Sequence, residues 1–257
     1  MKKIDNHSKC TGTREWSDVS HNIGVGCSHG CLYCYAASNA VERGVVSNRG
    51  NWVTERITPR KITSKEGVIM FPTAHDITPY YLEASVEAIR EMFEAGRDVL
   101  IVTKAHSTCI KRLCDEFEAY REQILIRITI GSMYFDKTNF WEPGAPSPIE
   151  RLVALGYAYL RGFKTSVSME PMLHGIDDAI NTYRIVEPYV TEKIWIGKMN
   201  SPYKRVDTSA DAQRDAVNEI IELQSDSEIM KLYEELKGEP KVEWKDSIHS
   251  VISKNQK

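Results

Sequence analysis

The chain has 257 residues, 42% of them hydrophobic and 27% charged, with 15 Gly, 10 Pro and a formal net charge of -3, a profile that excludes collagen, mucin and wholesale disorder. This length suits one large α/β domain, because α/β barrels reach about 250 residues as a single unit, or two smaller ones. The longest apolar stretches, Val99 to Val102 and the Arg-interrupted Ile124 to Ile130, fall far short of the roughly 18–20 residues that cross a bilayer. The first residues, Met1-Lys2-Lys3-Ile4-Asp5-Asn6-His7, are polar with no apolar run behind them, so the expectation is a cytoplasmic protein with reduced thiols and no membrane partner.

In chain order, an N-terminal extension (residues 1–18) precedes a β/α-patterned region (19–206) and an acidic, mainly helical extension (207–257). Short β-rich runs at Val68–Phe71, Val99–Thr103, Ile124–Ile130, Phe163–Met169 and Ile194–Ile196 alternate with helical patterns, and one further strand is expected before residue 27. The helix after the first of these runs carries Leu82, Val86, Ile89 and Phe93 on one stripe, opens at Thr78-Pro79 and closes at Gly96, following the helix start and stop signals. Ser147-Pro148-Ile149-Glu150 is a capping box with Pro at the first helical position, and that helix closes at Gly162. Strand-helix-strand units about 30 residues apart predict an α/β fold, a parallel sheet of about six strands with right-handed crossovers, open or curled into a barrel. Residues 207–257 hold 12 acidic and 7 basic side chains, which leaves residues 1–206 slightly basic. A helix is expected over 227–237, with Gly238 and Pro240 as breakers before Lys241-Val242-Glu243-Trp244.

Six cysteines are too few for a disulfide framework in a chain of this size, and three of them, Cys27, Cys31 and Cys34, fall within eight residues. In a reducing compartment such a cluster is more often a metal site. Soft thiolates select iron-sulfur clusters, zinc or Cu(I). A structural zinc site needs a fourth ligand, for which Cys10, His21 and His29 are the nearest candidates, none at a finger spacing. Three ligands instead leave a coordination position open, as catalytic metal sites do.

The run Gly26-Cys27-Ser28-His29-Gly30-Cys31-Leu32-Tyr33-Cys34-Tyr35 resembles the signature of the radical S-adenosylmethionine (SAM) superfamily. Val102-Thr103-Lys104, Arg127-Ile128-Thr129, Glu142-Pro143-Gly144-Ala145-Pro146-Ser147-Pro148 with Arg151, and Glu170-Pro171-Met172 are similar, in order and rough spacing, to its spore photoproduct lyase-like branch. The resemblance runs from about Asn22 to Asp178. It implies a partial β/α barrel, a 4Fe-4S cluster held by Cys27, Cys31 and Cys34, and SAM chelated to the fourth iron. It further implies reductive cleavage of SAM to a 5′-deoxyadenosyl radical that takes hydrogen from a substrate, with a flavodoxin- or ferredoxin-type electron donor. By the same resemblance Tyr33 lies near the adenine, Lys104 matches a lysine near SAM, Thr129 or Ser132 matches a SAM-contacting serine, and Tyr35 matches a tyrosine of the lyase's radical relay. The lyase's cysteine hydrogen donor belongs in the segment Phe71-Pro72-Thr73-Ala74-His75-Asp76, where this chain has Thr73, so the lyase's own hydrogen return is not expected.

Alternation along the strands adds residues that no motif carries. In Leu125–Ile130 the isoleucines form one face, toward the helices, and leave Arg127 and Thr129 on the other; Lys164, Ser166, Ser168 and Glu170 share a face in the same way. A polar lumen suits an incomplete barrel with a reaction chamber. His75 and Asp76, just past a strand end, read either as substrate or acid-base groups or as a turn arrangement; Lys198 and Asn200 are candidates by position. Arg151 is expected to tie its loop to its helix, and Cys109 and Cys114 to be buried small hydrophobes.

Three functions compete. The first is a radical SAM enzyme acting on an unidentified substrate, a nucleic acid base or nucleotide by analogy. The second is a small-molecule or peptide-modifying radical SAM enzyme. The third is a non-enzymatic zinc or iron-sulfur protein with a fourth protein ligand. Net charge does not advertise a large phosphate-binding surface, although Arg56, Arg60, Lys61 and Lys65 could form a basic face.

Overall fold

β-rich runs two to six residues long, separated by amphipathic helices, assemble into one parallel sheet in the computed structural model, which describes residues 15–17, 19–62 and 67–255. Its strands are β1 (Val19–Ser20), β4 (Ile69–Phe71), β5 (Val99–Thr103), β6 (Ile124–Thr129), β7 (Lys164–Met169), β8 (Ile194–Ile196) and β9 (Val242–Trp244), adjacent in that order. A separate antiparallel pair, β2 (Gly24–Val25) and β3 (Arg56–Ile57), frames the segment that holds the three cysteines. The two edge strands β1 and β9 do not pair with each other, so the sheet curls without closing. This is the expected partial barrel, with one strand more than the sequence pattern counted.

The helices between strands are α1 (Tyr35–Glu42), α2 (Leu82–Glu94), α3 (Ser107–Glu116), α4 (Phe135–Trp141), α5 (Pro148–Leu160) and α6 (Ile176–Val186). Ile101, Ile126, Ile128, Val167 and Ile196 turn outward and join helix residues such as Ile89, Ile110, Leu155 and Tyr183 in one buried core. Cys109 and Cys114 are buried in it as small apolar groups. The opposite strand faces carry Arg127, Thr129, Ser166 and Ser168, all buried. The capping box forms, with Ser147 Oγ accepting from Glu150 N at 3.2 Å.

The second helix starts at Leu82 rather than at Thr78-Pro79. Thr78 instead opens a turn closed by Tyr81 N, 3.0 Å from Thr78 O, and Tyr81 is fully buried with its hydroxyl donating to Val25 O at 2.8 Å. Gly24 makes room for that ring, since a methyl there would overlap it.

Beyond β8 come α7 (Pro202–Arg205), α8 (Asp211–Leu223), α9 (Asp226–Leu236) and, after β9, α10 (Asp246–Asn255). The C-terminal segment is more than a solvated cover: Ile229, Leu232, Leu236, Ile248 and Val251 belong to the main core, and β9 extends the sheet through its register with β8. Alternation within a three-residue strand is too brief to signal that pairing. Among the described residues no helix is long and apolar enough to cross a membrane.

Candidate functional site

A cavity of about 600 Å³ opens where the strands end, the position at which α/β barrels place their chemistry. Its walls gather Cys27, Cys31, Tyr33, Cys34 and Tyr35 from the segment after β1, Thr73 to Asp76 after β4, Lys104 after β5, Thr129 of β6, Ser168 and Glu170 of β7, and Lys198 to Arg205 after β8. Trp16 also reaches it. Of the site residues expected from sequence, Ser132 alone stays outside: it is buried, its hydroxyl accepts from Tyr134 N at 2.9 Å, and it bonds to Asp178.

The cysteine loop is braced from both sides. Cys27 N donates to Trp52 O at 2.8 Å and Leu32 N to Trp141 O at 2.9 Å. Gly26 has φ +95, and any side chain there would overlap the Thr54 carbonyl, so only glycine fits both the left-handed backbone and the contact. On the far side Gly144 N donates to His29 O at 2.9 Å, and a methyl on Gly144 would strike the Ser28 carbonyl. Cys34 caps α1, its sulfur accepting from Ala37 N at 3.4 Å. Burial pushes the Cys31 thiol up to about 12 and the Cys27 thiol well above its usual range, so these thiols ionise only against a positive partner such as a metal centre.

Behind the loop lies a buried polar knot whose members the sequence named separately, without their meeting. Glu142, fully buried, accepts from the Tyr33 hydroxyl and from Arg151 Nη2, and its Oε1 lies 3.8 Å from Lys104 Nζ. Arg151 also donates from Nε to Pro146 O at 2.8 Å and from Nη1 to Thr129 O at 3.1 Å, which ties the Glu-Pro-Gly loop to α5 and to β6. Burial disfavours the Lys104 ammonium, but Cys31, Tyr33, Glu142 and Asp76 together hold its pKa well above the usual lysine range. The Lys104 Nζ also stands 5.6 Å from the Tyr33 ring centroid.

Asp76 and His75, adjacent in sequence, have different surroundings. Asp76 accepts from Ile77 N at 2.7 Å, from Lys104 N at 3.0 Å and from the Thr103 hydroxyl, and His29 Nδ1 lies 3.4 Å from its Oδ2. Burial would raise its carboxyl, yet His29, Lys104 and the Thr103 hydroxyl hold it well below the carboxylate range. His29 Nε2 in turn meets His106 Nε2 at 3.2 Å. Both ring nitrogens of His75 are engaged by backbone: Nε2 accepts from Ile23 N at 3.1 Å, which leaves Nδ1 to donate to Asp76 O at 3.0 Å. Those two bonds give His75 a turn-building role and occupy the lone pair that acid-base chemistry would need.

Tyr35 donates its hydroxyl to Thr73 O, so the tyrosine after the third cysteine and the threonine at the donor position adjoin. Glu170 lies 3.3 Å from the buried Lys245 Nζ, which also meets Glu15 at 3.0 Å and stands 4.3 Å from the Trp16 ring centroid. Burial raises the Glu170 carboxyl against the pull of Lys245. Beneath the cavity Arg127 donates from Nε to Ser166 Oγ at 3.0 Å and lies 4.5 Å from the Trp16 centroid. Lys164, at the opposite strand end, bonds Glu122 O at 2.6 Å and takes no part in the lumen. Trp16 and Lys245 were not flagged by sequence, and His29 and Glu142 were flagged only as a possible fourth ligand and as part of a motif, because each acts through partners tens of residues away.

The donor set fits an iron-sulfur cluster. Three soft thiols from one loop face one cavity, and a cluster needs each sulfur on a different iron. Among the described residues no three His, Cys, Asp or Glu side chains are grouped to hold a single metal ion. His29 points to Asp76 and His106 rather than completing a tetrahedral site, and Cys10 and Lys65 lie outside the described residues.

The chain superposes on SuiB of Streptococcus suis bound to its precursor peptide SuiA with TM-score 0.59 and 10% identity, over 92% of this chain and 51% of that one. It superposes on spore photoproduct lyase with TM-score 0.55 and 14% identity, over 93% and 79% of the two chains. The chain shares the fold of these two proteins. A second lyase structure, a variant holding a dinucleoside spore photoproduct, matches with TM-score 0.54 over 86% of this chain and 74% of the other, and SuiB bound to S-adenosylmethionine matches with TM-score 0.52 over 88% and 49%. In sequence, the uncharacterized protein ORF301 of Acidianus two-tailed virus is 26% identical over 167 residues, 59% of this chain and 54% of that protein. The chain thus spans about half the length of this viral relative and of SuiB. No family model matches it.

Proposed function

We propose that this chain is a radical SAM enzyme of the spore photoproduct lyase-like kind. The observation that carries the reading is the placement of Cys27, Cys31 and Cys34 on one wall of the cavity that also holds Tyr33, Lys104 and Thr129, on a radical SAM fold. The three cysteines would hold a 4Fe-4S cluster. Cluster and SAM together would supply, on one-electron reduction by a flavodoxin- or ferredoxin-type donor, a 5′-deoxyadenosyl radical for hydrogen abstraction.

The chain's own residues then have definite tasks. Lys104, kept cationic by its acidic neighbours, offers donors to a cofactor carboxylate, and the Tyr33 ring offers a flat apolar face. Thr129 and Ser168 line the floor with hydroxyls, and Trp16 closes it, excluding water from a reactive intermediate. Tyr35, fixed by Thr73 O, and Glu170, fixed by Lys245, stand on the substrate side. Among the described residues no thiol beyond the three clustered cysteines lines the cavity beside Thr73, so the product either keeps its radical-derived change or takes hydrogen from elsewhere, with the Tyr35 hydroxyl, bonded to Thr73 O, a candidate source.

A nucleic acid base or nucleotide is the substrate class we favour. Lys204 and Arg205 line the mouth without an ion-pair partner among the described residues, and Lys198 stands beside them, 3.5 Å from Asp226. Such cations suit a phosphate more than an uncharged peptide. The shared cavity wall of the three cysteines favours an enzyme over a zinc-stabilised binding module; a cytoplasmic location is part of the same reading, since free thiols persist in a reducing compartment. The test is anaerobic: reconstitute the cluster, add dithionite and SAM, and quantify 5′-deoxyadenosine, with Cys27→Ala as control. Product in the wild type alone supports the reading, and deuterium transfer from candidate substrates then identifies the substrate. Absence of both cluster and SAM binding would end it.

A further inference from the structure

Helix α5 is apolar on two opposite sides. Arg151, Ala154, Leu155 and Ala158 form its inner face, buried against the sheet and α3. At 100° per residue Ile149, Val153, Gly156 and Leu160 form a second stripe directly opposite, and it faces solvent: Ile149 is 61% exposed, Val153 58% and Leu160 81%. The spacing along it is four, three, four, the rhythm of a coiled-coil seam. No charge interrupts it. Glu150 is turned aside to Ser107, whose backbone N it accepts at 3.0 Å, and Arg151 is turned into the buried knot. Tyr159 and Tyr189, packed edge to face at 6.1 Å and both exposed, widen the stripe on one flank. Outer helices of a barrel normally present charged residues to water, and a helix apolar all round is one that is covered.

The stripe has an internal symmetry that selects its cover. Reversed end for end about its midpoint, Ile149 exchanges with Leu160 and Val153 with Gly156. An antiparallel copy of α5 therefore sets large against large at the two ends and, at the crossing, valine against the Gly156 position, over which the Tyr189 ring lies in van der Waals reach. We propose that this face is a two-fold interface with a second copy of this chain, α5 crossing α5 of its partner antiparallel. The arrangement is isologous, as closed dimers require. The patch measures on the order of 500 Å², the upper end for a monomer's surface. Buried on both copies, it reaches about 1,000 Å², which a specific interface needs. The cavity opens at the strand ends, off this face, so the dimer leaves both sites free. The proposal is independent of the reaction assigned above.

Light scattering on the reconstituted full chain tests it at concentrations from 1 to 100 times about 1 μM. The wild type is expected as a dimer at the upper end, and Ile149→Lys and Leu160→Glu each as folded monomers with unchanged circular dichroism. Mixing the two variants is expected to restore a heterodimer, because the antiparallel register sets the introduced lysine of one copy against the introduced glutamate of the other. A wild type that stays monomeric overturns the proposal, as does a dimer that both substitutions leave intact. Monomeric variants that fail to recombine overturn the antiparallel register.

Discussion

Arg151→Met is the substitution on which the reading of the buried knot stands or falls. The side chains of Arg151 and Glu142 are 1% and 0% exposed, so the guanidinium cannot be replaced by water. Removing one partner from a buried ion pair costs about 3–5 kcal/mol, because the other charge stays behind uncompensated. Lys104, 3.8 Å from Glu142, offsets part of that loss. The carbonyls of Pro146 and Thr129, which each lose a donor, add to it. The net expectation is a destabilisation of about 3–5 kcal/mol, which at 2–4 °C per kcal/mol for a chain of this size is a fall in Tm of roughly 10 °C. Urea denaturation followed by circular dichroism measures it. Arg151→Lys keeps the charge but not the three-way fork and should fall between the two. The double variant Glu142→Gln with Arg151→Met should recover stability relative to Arg151→Met alone, since no bare carboxylate remains. A loss below about 1 kcal/mol for Arg151→Met would refute the reasoning, because only a surface-like interaction is so cheap to break.

Four further outcomes are expected. Burial lowers the His75 pKa, so the unfolded chain takes up a proton that the folded one refuses: stability should decline as pH falls below about 6.5, and His75→Leu should flatten that slope in thermal melts. Asp76 has the opposite character, its folded pKa held below the unfolded value by His29, Lys104 and Thr103; its contribution is present above about pH 4 and fades as pH falls through the folded value, a slope that Asp76→Asn should remove. Gly26→Ala must strain a left-handed backbone and displace the Thr54 carbonyl, so iron content after reconstitution should drop sharply while the sheet's circular dichroism persists. The pair Lys204→Ala and Arg205→Ala should weaken binding of a short single-stranded oligonucleotide and reduce the log-log salt slope by about 1–2, the share of two phosphate contacts; an unchanged slope would remove these cations from the substrate site.

Local pattern made much of the fold readable, and long-range chemistry hid part of the site. The isoleucines of β6 alternate with Arg127 and Thr129, and that period of two placed the polar face toward the lumen before any geometry was known. The capping box at Ser147 marked the start of α5 for the same local reason. By contrast, Thr78-Pro79 reads as a helix start, yet Tyr81 is drawn down to the Val25 carbonyl and the helix begins after it. Three residues of β9 carry no period at all, so its place in the sheet was invisible. The cysteine loop was legible because its three thiols fall within eight residues of one another. Glu142 was legible only as part of a motif, since its meaning lies in Tyr33, Lys104 and Arg151 meeting it from three other elements. Ser132 shows the limit of carrying a role over by position: a few residues decide whether a hydroxyl faces the cavity or a helix.

The order of strands in the sheet has a consequence for how the molecule is made. Each strand neighbours the one that precedes it in the parallel sheet, from β1 through β9, so the sheet can grow at one edge as the chain leaves the ribosome, without waiting for a distant segment. The lumen, however, receives Lys245 from the residue directly after the last strand. Until that residue emerges Glu170 faces the cavity without Lys245, and the core lacks the apolar face of α10. The cavity is thus completed late: a nascent chain with its cysteines already exposed still lacks the side chain that closes the lumen over Glu170.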